Sequence, residues 1–288
     1  MSQHVVTSGE VSLQVRLLGQ DDRPTLVLVH GWPDTQDVWS LVAPALAADF
    51  RVVTFDLRGM GGSTAPSSRA GYRTSRFVDD LVAILDEVVA DGTAVHLVGH
   101  DWGSINLWAA ALREATDPRL TGRLASFTSI SGPSLEQYRH FFVEGIRRRA
   151  FRTVLRQASR SWYVLAFQVP LVPELVLRRL GGRLRERLAR REGHDAIAPT
   201  FVTDAVQGLN LYRVSRARRD VAPTDVPVQL LVPLRDAYVI PAMHQHIGRF
   251  ATDLTRVDLD AGHWVVRTDP AAVTAQVTAF VHSVESRE

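Results

Sequence analysis

The sequence predicts an α/β fold, a mostly parallel sheet with helices on both faces and an inserted all-helical lid. Three observations carry this. From residue 1 to 132, short apolar β-branched runs alternate with stretches of helical periodicity. From 133 to 223 the strand signal stops and amphipathic helical patterns take over, and from 224 to 288 strand–helix alternation resumes. Parallel strands need a crossover between them, so this alternation reads as two parts of one core, 1–132 and 224–288, divided by a lid or cap at 133–223. A chain of 288 residues can hold one such domain with its insertion.

Each element has its own signal. Val11–Leu18 alternates apolar and polar residues as an edge strand does. Thr25–Val29 and Arg51–Phe55 are short apolar runs ending in turn residues, and Ala94–Val98 is another, bounded by Asp91-Gly92 and Gly99. Between them, Phe77, Leu81, Ile84, Leu85 and Val88 recur at helical spacing across Thr74–Ala90. Leu124–Ser131 reads as a buried strand, and the lid follows the sixth strand of the sheet. Within the lid, Pro170, Pro173 and Gly181-Gly182 are expected to break the helices into short pieces. Beyond it come a strand at Val226–Val232, a helix near Met243–Phe250, a strand at Leu254–Leu259 and a last helix from Pro270.

Composition excludes several classes of function. Cysteine is absent, which removes disulfides, thiolate metal sites and a cysteine nucleophile together. The N-terminus has neither a basic nor an apolar signal region, and no apolar run approaches the roughly 18 residues of a membrane span. The expected compartment is the cytoplasm. Every basic residue is arginine, and the arginines are concentrated: 18 against 8 acidic residues between Ser134 and Asp220, but 15 against 23 elsewhere. Such a lid can touch an anionic surface weakly, although solvated helix faces are the plainer reading. No nucleic-acid-binding motif accompanies the arginines.

The sharpest chemical signal is Gly99-His100-Asp101-Trp102-Gly103, directly after a strand and opening a helix. This is the frame of a nucleophile elbow, in which small residues two positions either side let strand and helix approach while the central residue takes a strained backbone. The central residue is usually serine, and here it is Asp101. A helix N-cap is the plainer role for aspartate at such a place. The two flanking glycines and the order of the partners favour a nucleophile. Asp236 follows one predicted strand and His263 the next, giving the order nucleophile, acid, histidine. A histidine so placed acts as general base on water, while a carboxylate fixes its tautomer. Asp260 is a rival acid but reads better as a loop brace. His30, His96, His100, His244 and His246 read as structural, and no grouping has metal-ligand spacing.

His30-Gly31-Trp32-Pro33 ends another strand and is expected to supply an oxyanion hole, from the backbone N–H of Trp32 and that of Trp102. A cis bond is expected before Pro33, because the turn must be tight. Asp56–Ser63 lacks the lysine of a phosphate loop and reads as a structural turn.

His-Gly-Trp-Pro at 30–33, Arg-Gly-Met-Gly-Gly-Ser at 58–63 and Gly-His-Asp-Trp-Gly at 99–103 together resemble the α/β-hydrolase-fold epoxide hydrolases. The resemblance spans essentially the whole chain. It implies that Ser161–Pro170 carries an epoxide-polarising tyrosine, Tyr163. It implies the same for Asn210–Arg213, which carries Tyr212, although the family more often has tryptophan where Leu211 stands. It also implies no cofactor and a small-molecule, apolar epoxide as substrate. The chemistry is coherent: a carboxylate opens the ring to a covalent ester while a phenol protonates the oxygen, and water activated by His263 then releases a vicinal diol. Two alternatives use the same residues less well. A haloalkane dehalogenase shares the aspartate but has no use for paired phenols, and a non-catalytic binding protein on this fold generally loses a triad residue.

Overall fold

A computed structural model describes residues 1–192 and 198–287 of the chain. Eight strands form one sheet in the order β1-β2-β4-β3-β5-β6-β7-β8: β1 (Ser2–Ser8), β2 (Val11–Leu18), β3 (Thr25–Val29), β4 (Arg51–Phe55), β5 (Val95–His100), β6 (Leu124–Ile130), β7 (Val228–Pro233) and β8 (Leu254–Leu259). The β1/β2 and β2/β4 pairs are antiparallel and every other pair is parallel. The helices are α1 (Val42–Leu46), α2 (Thr74–Val88), α3 (Trp102–Ala111), α4 (Leu135–Arg147), α5 (Phe151–Arg160), α6 (Trp162–Ala166), α7 (Val172–Glu192), α8 (Phe201–Val214), α9 (Val265–Thr268) and α10 (Pro270–Glu285).

The central strands are apolar on both sides because both sides are covered. Along β3, Val27 and Val29 join a core with Phe55, Phe77, Leu81 and Trp108, while Leu26 and Leu28 point the other way to Trp39, Leu46, Val273 and Val277. Truncating any of these fully buried side chains to alanine costs about 2–5 kcal/mol. Helices α4 to α8 lie between β6 and β7 in the chain, after the sixth strand of the sheet. Residues 193–197 of the expected lid lie outside the described residues.

Four local expectations are corrected. The edge strand is β1, not Val11–Leu18, which pairs on both sides. In β1 the first four residues and Thr7 are exposed, so no apolar alternation announces it. The twin glycines do not break the lid. Residues 172–192 form one helix, in which Gly181 packs so close to Val202 of α8 that a Cβ would stand 2.9 Å from it. Pro173 sits in the first turn of that helix, where its missing N–H costs nothing. Residues near 243–250 form two 3₁₀ turns, Pro241–His244 and Ile247–Arg249, rather than a helix. The last strand of the lid boundary begins at Val228 rather than Val226, whose amide instead donates to the Thr224 hydroxyl.

The structure agrees with two loop readings. The Trp32–Pro33 peptide is cis. The 56–63 turn is structural: the Asp56 carboxylate accepts N–H groups from Gln36 and Gly62 at 2.8 and 2.9 Å, and Arg58 is clamped by Asp80. That turn receives the lid, because the Gly61 N–H donates to Asp204 of α8 at 3.0 Å and the Tyr72 hydroxyl donates to Gln207 at 2.7 Å.

Candidate active site

Asp101 sits between β5 and α3 with φ 51° and ψ −120°. A non-glycine residue with positive φ is strained, and surrounding structure must hold it there. The holding contacts are tight. A Cβ on Gly103 would come within 2.1 Å of the Val29 carbonyl, so only glycine lets α3 start this close to β3. The Asp101 N–H donates to Ile130 of β6, and its carbonyl accepts the first helical bond of α3, from Ile105.

The two carboxylate oxygens of Asp101 have different partners. Oδ1 accepts the Trp32 backbone N–H at 2.8 Å, while Oδ2 stands 3.5 Å from His263 Nε2. Trp102 opens α3, so its N–H is one of the first-turn donors without an intrahelical acceptor. On its far side, His263 Nδ1 meets Asp236 Oδ2 at 2.8 Å. The Asp236 Oδ1 atom accepts the N–H groups of Tyr238 and Val239 at 2.7 and 3.0 Å. Asp101, His263 and Asp236 are therefore linked in series, each brought to the carboxyl end of its strand.

Electrostatics follow from burial and pairing. Burial is the largest influence on His263 and opposes its charge. The Asp236 carboxylate and the hydrogen bonds to Asp101 and Asp236 together outweigh it and push the imidazole up to about 10. Burial likewise opposes ionisation of Asp236, but His263 and the two backbone N–H donors hold its carboxyl below the usual range. The pairing thus favours the protonated form of the His263 imidazole.

Four further histidines are held by internal bonds. His100 is buried and donates from Nε2 to the His263 carbonyl at 2.9 Å, and Ser131 donates to the same carbonyl at 3.2 Å. His30 accepts the Leu57 N–H, His96 bonds Ser126, and buried His244, lowered to about 4 by desolvation, lies beside Gln137. Asp260 is exposed and pairs with Arg235 at 2.8 Å, as a brace does.

Above Asp101 the lid encloses a cavity of about 380 Å³, and both predicted tyrosines line it. The rings of Tyr163 and Tyr212 are 5.8 Å apart, and Tyr212 lies edge-on to Trp102 at 4.8 Å. Burial first, then the negative charge of Asp101 and the neighbouring phenol rings, push both hydroxyls above the usual phenol range, so both stay protonated. Tyr238 was not singled out in the sequence, yet it lines the cavity and packs on the His263 ring at 4.8 Å. The only sequence signal is its place two residues after Asp236. Buried Gln157 on α5 fixes that loop, donating to the Tyr238 carbonyl at 2.8 Å and accepting the Ile240 N–H at 3.0 Å. Trp32 is also tied to the lid, through an indole N–H donated to the Ala205 carbonyl at 3.0 Å.

Comparison with known proteins agrees with this geometry. Residues 24–270 match the α/β hydrolase fold family. Epoxide hydrolase A of Mycobacterium tuberculosis is 33% identical over 99% of both chains. The probable oxidoreductase EphD of the same organism is 34% identical over all of this chain, which spans about half of that protein's length. Among solved structures, Epoxide Hydrolase A from Mycobacterium thermoresistibile superposes with a TM-score of 0.73 at 25% identity, covering 98% of each chain. A Bacillus megaterium epoxide hydrolase bound to a naphthyloxy-propanediol product gives 0.80 at 20% identity, covering 97% of this chain and all of the other. A strained aspartate at the elbow, its histidine and acid linked in series, and a family match over most of the chain lead to one assignment: this chain belongs to the epoxide hydrolases of the α/β-hydrolase superfamily.

Proposed function

We propose that this chain opens epoxides to vicinal diols through a covalent ester on Asp101. The observation that carries the reading is the pairing across one cavity of a carboxylate backed by His263–Asp236 with two protonated phenols. Oδ2 of Asp101 attacks a ring carbon, the C–O bond breaks, and Tyr163 or Tyr212 protonates the departing oxygen. The imidazolium of His263 returns that proton to the phenolate and becomes neutral. Esterification removes the negative charge 3.5 Å away, so one of the influences that kept His263 protonated is gone when a base is needed.

Neutral His263 then takes a proton from water, and the hydroxide adds to the ester carbonyl. The resulting oxyanion forms on Oδ1, where the Trp32 N–H already points and the Trp102 N–H is the second donor. Collapse releases the diol and restores the carboxylate and the imidazolium. The scheme consumes one water and calls on no cofactor. Halide displacement fits these residues less well, because the Trp32 indole N–H is committed to the Ala205 carbonyl.

The test is a single turnover in ¹⁸O-water. The diol should carry only unlabelled oxygen, one atom from the epoxide and one from Asp101. Label in the diol at that stage would mean direct attack by water.

A further inference from the structure

The lid exposes apolar side chains that its fold leaves uncovered. Trp162, Leu165 and Leu171 are 66%, 76% and 74% exposed, and Val172, Leu175 and Val176 follow on the first turns of α7. These six lie within fifteen consecutive residues, a local concentration of exposed apolar side chains. Leu171 is held outward from a backbone with φ 66°, a conformation unfavourable for a branched residue. Monomeric proteins rarely leave a contiguous apolar surface of this kind without a use for it.

The surroundings of the patch are basic. Exposed Arg178, Arg179, Arg183 and Arg187 continue along α7, and exposed Arg152 and Arg156 lie on α5. Within the patch the one carboxylate, Glu174, is spent internally on Arg213 at 2.5 Å, and Glu186 is the single exposed carboxylate among the α7 arginines up to Arg190. A second copy of this chain would bring the same excess of arginine against itself. Apolar side chains ringed by arginine instead match an anionic lipid surface, where the chains enter the interface and the guanidinium groups meet phosphates.

The cavity opens at the same place. Leu165 lines it and is also one of the most exposed residues of the patch, and the exposed Arg139 and Arg216 lie on the same rim. Among the described residues no helix is long and apolar enough to cross a membrane. We infer that the outer face of α6 and the first half of α7 docks on an anionic bilayer, and that the enzyme draws apolar, lipid-dissolved epoxides into the cavity beside Leu165. The choice of substrate rests on the proposed epoxide chemistry, while the docking does not.

Vesicle co-sedimentation of the 288-residue chain tests the docking without any reference to activity. Vesicles containing phosphatidylglycerol should carry the protein down, pure phosphatidylcholine vesicles should not, and added salt should release it. Arg179→Gln with Arg183→Gln should weaken partition by about 25-fold, since one arginine near an anionic surface is worth roughly fivefold. Leu171→Ser with Leu175→Ser, at positions outside the cavity wall, should also release the protein. Both double variants should hydrolyse dispersed styrene oxide at the parental rate but lose turnover of a long-chain epoxide embedded in anionic vesicles. No binding to anionic vesicles at low salt, equal binding to both vesicle types, or a parental dimer that the leucine variant dissolves would each overturn the inference. If vesicles bind but no epoxide is turned over, the docking stands and the proposed activity falls.

Discussion

Gly208 offers a direct test of how the lid governs the chemistry. It lies on α8 against Trp32, and a Cβ placed there would stand 2.0 Å from Trp32 Cδ1 and 2.6 Å from Nε1. Ordinary contact begins near 3.4 Å, so Gly208→Ala must push the indole away by about 1.4 Å. The ring has little room to move. Phe167 and Tyr212 pack edge-on against it at 5.3 and 5.4 Å, and its N–H is bonded to Ala205. The displacement therefore reaches the Trp32 backbone, whose N–H holds Asp101 at 2.8 Å, and the Tyr212 ring one turn along α8. Overpacking of this kind costs about 1–3 kcal/mol of stability, which lowers the melting temperature by a few degrees in a chain of this size. Misplacing a catalytic donor by about 1 Å costs on the order of 10²-fold in rate. Steady-state kinetics on styrene oxide and a thermal melt measure the two effects separately. A Gly208→Ala enzyme with parental kcat and parental melting temperature would refute the coupling of lid to oxyanion donor.

Three further outcomes are expected. His263→Gln should still form the Asp101 ester but not hydrolyse it, so intact-protein mass spectrometry should show an adduct of one substrate mass; unmodified protein after long incubation with a proven substrate would count against the division of labour. Tyr163→Phe and Tyr212→Phe should each slow alkylation, and the double change should cost ~10²–10⁴-fold; near-parental epoxide turnover by the double variant would sink both assignments. His263 has a folded pKa of about 10 against roughly 6.5 unfolded, so its stabilising effect is complete below about pH 6.5 and lost as pH rises toward 10. Denaturant titrations of parent and His263→Gln should show a stability gap that is flat below pH 6.5 and narrows above it, and a gap that widens over that interval would contradict the ion pair.

Much of the site was legible because its signals are local. The elbow, the Trp32 turn and the loops carrying Asp236 and His263 each combine a strand end with a distinctive few residues. Asp101, Trp102 and both lid tyrosines line one cavity, and behind Asp101 stand Trp32, which donates to it, and His263 with its partner Asp236. What escaped depended on distant partners. Tyr238 matters through a loop pinned by Gln157, some eighty residues earlier, and nothing near Tyr238 in sequence announces that bond. The unbroken α7 depends on Gly181 meeting Val202 across the lid, a tertiary contact that overrides the helix-weakening tendency of glycine. β1 is polar because its residues face water at the sheet edge, so apolar alternation never marked it.

The lid is built in two unlike halves, and this bears on how such an enzyme can diversify. Helix α8 is fastened to the core by the Trp32, Gly61 and Tyr72 bonds, so a change there disturbs the parts to which the proposed reaction is assigned. Helix α6 supplies Val164 and Leu165 to the cavity wall, and among the described residues neither side chain bonds the elbow, His263 or Asp236. Apart from Tyr163, its positions can be rewritten to reshape the chamber while the catalytic frame stays as it is. Libraries confined to Val164 and Leu165 should therefore yield altered selectivity at a higher frequency of active clones than libraries of equal size drawn from α8. A lid transplanted from a relative, by contrast, will fit only if its glycine at 208 and the tryptophan at 32 travel together.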